Sequence, residues 1–162
     1  MSGSAENMAH GASEKSSRHE VVVNLATANR MLSLLRPVID DLLSGQKHLA
    51  ELQPEQDRLD RQRRSLSWPE RARRYQLREE VTAIEQDLLD TLAELEVLGV
   101  ELIDPDEGRV GIPTLVNDRA AFFSWRPGEE TVRYWHFAGE ASRRPIPPSW
   151  HKQADIQLMG KN

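Results

Sequence analysis

A chain of 162 residues, 38% hydrophobic and 29% charged, can close one modest core and leaves part of its length unpacked. Its formal net charge of −5 argues against a general binder of nucleic acid or acidic membranes. With no cysteine it builds no disulfide framework, thiolate zinc site or thiol nucleophile, so any metal would have to rest on His, Asp and Glu.

The opening stretch, MSGSAENMAHGASEKSSRHE, has no apolar run of the kind a secretory signal carries. It is also too polar to offset the entropy of ordering it, so residues 1–20 are expected to be disordered. No later segment offers the roughly eighteen consecutive apolar residues that cross a bilayer, and a cytoplasmic location is the expectation. The rest reads as a single α+β domain over 21–150, with a helical hairpin at 24–99 and a β region at 100–146. A flexible tail is expected over 151–162.

From Leu25, with Asn24 as N-cap, Ala28, Leu32, Leu35, Ile39, Leu42 and Leu43 recur at three- and four-residue steps on one helical face. Pro37 sits inside the pattern and predicts a kink or local break, Gly45 weakens the helix, and Pro54 interrupts it again. Ser67-Trp68-Pro69-Glu70 is a second helix start, with proline in the first turn and an acid at the positive end of the dipole. Leu77, Val81, Ile84, Leu88, Leu92 and Leu95 then repeat at steps of four and three, continued by Leu98, and Gly99 stops the helix. Leu88 and Leu92 are expected between the helices. Two apolar seams joined by a short link predict an antiparallel hairpin with coiled-coil character.

Beyond Gly99 the period changes. Val100 to Ile103 and Val110 to Leu115 are short strands around the turn Asp104-Pro105-Asp106-Glu107-Gly108. Ala120 to Arg126 and Thr131 to Phe137 flank Pro127-Gly128-Glu129-Glu130, which reads as a tight hairpin turn. Pairing Arg126 with Thr131 would put Phe123, Trp125, Val132, Tyr134 and His136 on one face. Phe122, Arg126, Arg133, Trp135 and Phe137 would then share the other. The prolines after Arg143-Arg144 predict an extended covering segment.

His136 is the most suggestive histidine: a metal ligand, or a general base oriented by Glu129 or Glu140. The competing reading is a structural histidine, because no HExxH or H-x-H spacing accompanies it. Trp125, Trp135, Arg126, Arg143 and Arg144 together suit a phosphate, carboxylate or stacked base, against a reading in which the tryptophans are core anchors. Eight arginines, from Arg58 to Arg78, gather around the hairpin tip, while Glu79 to Glu107 contains eleven acids and no Lys or Arg. Such a tip could grip phosphates, yet a solvated surface or an aid to antiparallel self-association is preferred.

One pattern in the C-terminal half can be placed. Leu98-Gly99-Val100-Glu101-Leu102-Ile103-Asp104, then Gly108-Arg109-Val110 and Ile112-Pro113, resembles the bacterial domain-of-unknown-function family 2203. So does Ser124-Trp125-Arg126-Pro127-Gly128-Glu129, followed by Val132-Arg133-Tyr134-Trp135-His136 and Arg143-Arg144-Pro145-Ile146. Ala28-Asn29 and Leu35-Arg36-Pro37 agree more loosely. Ser124, Ile112 and Gly139-Glu140-Ala141-Ser142 depart from the family pattern. The likeness covers about residues 22 to 147. It implies a bacterial cytoplasmic protein of this architecture and supplies no activity and no catalytic residues.

The leading expectation is a non-enzymatic binding or interaction module whose helical hairpin is either the scaffold or a surface for homo-oligomerisation. Its anionic-ligand site would involve Arg126, Trp135, His136, Glu140, Arg143 and Arg144, with no metal and no membrane. A metal-assisted hydrolase or lyase using His136, and an RNA-associated factor using the arginine tip, are the alternatives.

Overall fold

Asn24 ends an extended entry and opens α1, Leu25–Arg61, where its side-chain oxygen accepts the Thr27 N–H at 2.8 Å. The computed structural model describes residues 23–151. The segments expected to be disordered over 1–20 and flexible from 151 lie outside these residues, except His151, which ends a helical turn at 148–151. The helix runs unbroken through Pro37 and Pro54, so of the kink or local break expected there the break is absent. Both prolines are exposed, so the carbonyls that lose an N–H partner one turn earlier lie on the side that meets water. The buried stripe opposite holds the helix together: Leu32, Leu35, Ile39 and Leu42 are at most 2% exposed.

α2, Trp68–Val97, returns antiparallel to α1 with Pro69 in its first turn, and Gly99 follows at φ +73°. Leu77, Val81 and Leu95 are buried on its seam, and Leu88 packs partly buried against the main core. Leu92 is 40% exposed, which corrects the expected burial, and Thr91 takes the buried place beside it. Leu92 lies one step off the centre of a seam that follows a 100° turn per residue. Gly45 has a role beyond weakening α1: a Cβ there would stand 2.8 Å from Leu88 Cδ2, so its absence lets the two helices close up.

The β region is one antiparallel sheet of five strands in chain order: β1 Glu101–Asp104, β2 Arg109–Val116, β3 Arg119–Trp125, β4 Tyr134–Phe137 and β5 Arg144–Pro145. The tight hairpin is the one between β2 and β3, where Asn117 and Asp118 take φ of 51° and 61°. Both central residues with positive φ are what a two-residue type I′ connection needs. The segment between β3 and β4 is instead an eight-residue loop, 126–133. There the Trp125 indole N–H bonds Glu129 O at 2.8 Å, the Arg126 N–H bonds Glu129 Oε1 at 2.9 Å, and the Val132 N–H bonds Asn29 Oδ1 at 2.8 Å. These bonds draw 131–133 out of the strand. Phe123 therefore pairs with Trp135, and Phe122 with His136, one residue away from the expected register.

A one-residue slip exchanges the faces of a whole strand. Trp135 and Phe137 join Phe123, Trp125, Val110 and Ile112 on the face that meets α1, where all are buried. His136 and Tyr134 turn to the opposite face with Phe122 and Ser124. Trp135 and His136 do lie on opposite faces, as expected, but each on the face assigned to the other. The covering segment contributes β5, an edge strand where Pro145 is tolerated because one side needs no ladder bond. Trp150 then closes against Phe123 and Trp135 at ring-centroid distances of 6.2 and 5.2 Å.

Leu35→Ala should cost about 2–5 kcal/mol in chemical denaturation, whereas Leu92→Ala should cost about 0.5 kcal/mol or less. Equal losses would mean that α1 is not the buried spine of the domain.

Candidate functional site

On the outer face of the sheet, Arg143 lies over Tyr134, its guanidinium carbon 4.1 Å from the ring centroid. Its Nε donates to Ser124 Oγ at 2.9 Å, and its Nη2 donates to Ser124 O at 3.2 Å and Glu129 Oε1 at 2.6 Å. Both ionic side chains are largely buried, at 15% and 13% exposure. Glu129 also receives the Arg126 N–H, so one carboxylate ties the loop backbone to Arg143, the residue just before β5. A largely desolvated pair that also bonds Ser124 and the loop backbone is a brace, and its charge is already balanced.

Arg144 belongs to the other face. It sits 5.3 Å from the Trp135 ring centroid and 5.2 Å from that of Phe137, and donates to both oxygens of Glu140 at 2.7 and 3.3 Å. That guanidinium holds the Glu140 carboxyl below its ordinary pKa against the opposing cost of desolvation, and the Phe137 N–H helps. Arg126, half exposed, reaches only Glu107 at 3.5 Å.

His136 is 2% exposed and 5.6 Å from Phe122, ring to ring. Its Nδ1 is 2.9 Å from Phe137 O. A carbonyl only accepts, so an Nδ1 N–H donates to it and leaves the ring's other nitrogen, Nε2, on the far side. That Nε2 is buried and meets no hydrogen-bond partner. Neither Glu129 nor Glu140 orients His136: the first is held by Arg143 and the second by Arg144. Among the described residues no group of three or more His, Asp or Glu could hold a metal ion. The six candidate positions thus divide between two faces of the sheet instead of converging on one.

At the hairpin tip, Arg73 makes a two-pronged bond to Glu55 at 2.9 and 3.1 Å, and Arg74 bonds Asp60 at 2.8 Å. The Arg73 guanidinium lowers the Glu55 pKa, and its own is raised in return. These arginines brace α1 against α2.

A row that the sequence reading missed runs along the outer side of α2. Trp68 is 80% exposed, Tyr75 66%, Leu89 60% and Val97 87%. At the C-terminal end, Val97 and Ala93 join Leu98, Leu34 and Val38 around an open groove of about 520 Å³. The missed signal was a second seven-residue spacing, Trp68, Tyr75 and Leu89, on the side opposite the leucine seam.

The family described as "Uncharacterized conserved protein (DUF2203)" matches residues 22–146. No curated protein and no solved structure matches the chain. No helix among the described residues is long and apolar enough to cross a membrane.

Arg143→Lys keeps the charge but loses the fork that reaches Ser124 and Glu129 together, and should lower unfolding free energy by about 1–3 kcal/mol. Arg144→Lys, on a half-exposed pair, should shift it by about 0.5 kcal/mol or less. Thermal or urea denaturation compares the two; a tolerant Arg143 would refute the brace.

Proposed function

The chain belongs to the domain-of-unknown-function family 2203, and on that footing we propose that it is a non-enzymatic interaction module whose working surface is the outer side of α2. The observation that carries this reading is the exposure of Trp68, Tyr75, Leu89 and Val97 along one side of a helix whose other side is packed. A helix apolar on one stripe needs one partner, whereas a helix apolar on two needs two. α1 is the first. Large side chains left in water along a single row are the usual mark of a protein–protein contact.

The β region supports a different role. Arg143 and Arg144 are paired with Glu129 and Glu140, so neither of these two arginines offers an unbalanced charge to an anion. The imidazole proton of His136 is committed to a backbone carbonyl, and its Nε2 is shielded, so the arrangement gives a general base neither an orienting carboxylate nor a solvent-facing nitrogen. The sheet is therefore the platform that fixes the base of the helical arm.

A photo-crosslinking residue placed at Tyr75 or Leu89 in living cells should give discrete protein adducts, and one at Asp40, exposed on α1, should give none. Absence of adducts from all three positions, or identical adducts from all three, would refute this surface.

A further inference from the structure

The outer row of α2 carries enough pattern to name its partner. Trp68, Tyr75, Thr82 and Leu89 stand seven residues apart, and Ala72, Glu79, Gln86 and Ala93 follow each of them by four. These are the two core positions of a heptad, repeated along the side of the helix that α1 does not cover. Large residues occupy one position at the helix start and small ones occupy the other at both ends. Laid against itself head to tail, the row matches large to small.

Charge selects the same orientation. The start of α2, through Arg78, holds Arg71, Arg73, Arg74 and Arg78, whereas from Glu79 to Val97 there are seven acids and no Lys or Arg. Arg73 and Arg74 are turned towards Glu55 and Asp60 of α1, which leaves exposed Arg71 and Arg78 beside the outer row. A parallel pair would stack arginine on arginine and acid on acid. An antiparallel pair sets each basic end against an acidic one.

We infer that two copies of this chain pair through the outer faces of α2, antiparallel about a two-fold axis. The assignment rests on reading that face as a partner surface. With Trp68 over Ala93 of the second copy, Leu89 falls over Ala72 of the second copy and Tyr75 meets Gln86 of the second copy. Near the axis Thr82 adjoins Glu79 of the second copy, giving a polar waist between two apolar clusters. A self-complementary patch of this kind is what a closed two-fold interface requires. On the flank, Arg78 of each copy lies beside Glu85 of the other, and symmetry makes this contact twice. Within one chain Arg78 and Glu85 are two helical turns, about 10.5 Å, apart along the axis and are not surface neighbours. A coupling between them is therefore a contact between copies.

Analytical ultracentrifugation of the full chain tests this. The parent should sediment as a dimer. Arg78→Glu and, separately, Glu85→Arg should each raise the dimer dissociation constant at least about tenfold with helical circular dichroism unchanged. The double swap should bring it back to within about threefold of the parent. Rescue by the double variant supports the antiparallel register. A dimer indifferent to both single swaps, or one that the double swap fails to restore, overturns it. A monomer at every concentration overturns self-pairing. If adducts from position 75 or 89 then carry a different protein, the partner surface itself stands, and if those adducts are missing too, both readings fall.

Discussion

The molecule depends on one stripe of α1. Leu32, Leu35, Ile39 and Leu42 are sealed under the inner face of the sheet, and further along the same helix Leu59 closes a second cluster with Leu66 and Leu77. Burying each of these side chains contributes about 1.5–3 kcal/mol of transfer free energy. The sheet covers only the first half of α1, so the rest of its stripe has to be covered by α2. The inner seam of α2 is consumed in doing so. What remains outward is the row beginning at Trp68, and the proposed function follows from that division of faces.

The sheet is held in register by polar contacts more than by its turn. Trp125 and Glu129 fold the 126–133 loop, Asn29 of α1 catches the Val132 N–H, and Arg143 ties Glu129 to Ser124 on β3. The Asp104–Gly108 turn is pinned from the other direction: a Cβ at Gly108, whose φ is +70°, would stand 2.7 Å from Ile39 Cγ2 of α1. Charged groups that looked available for chemistry are thus the fasteners between strands, loop and helix. A carboxylate and a guanidinium buried together lose hydration and regain it as fixed bonds, and such a pair serves specificity of arrangement better than ligand capture.

How much of this was legible in the sequence follows from the range of each interaction. Helix starts and stops are local, so Asn24, Pro69 and Gly99 marked them correctly. Neither Pro37 nor Pro54 ends the helix, because their local penalty is outweighed by burial on the far side of α1, a tertiary effect. The β3–β4 register was beyond local reading: it is set by Asn29, more than a hundred residues from Val132 in the chain, and by an indole that reaches across its own loop. Arg143 and Arg144 were singled out together, but only the observed register shows that they serve opposite faces. The outer row of α2 was visible in the spacing of Trp68, Tyr75 and Leu89, and was overlooked because a single leucine seam already accounted for the helix.

Trp68 gives the most direct view of that row, since the other three tryptophans, Trp125, Trp135 and Trp150, pack at the sheet. Fluorine NMR of the chain labelled with 5-fluorotryptophan, followed through serial dilution, would watch all four rings at once. Self-pairing of two copies through the outer face of α2 predicts that the Trp68 resonance alone moves towards its solvent-exposed position as the protein is diluted. Four resonances that stay fixed, or that all move together, would contradict the account.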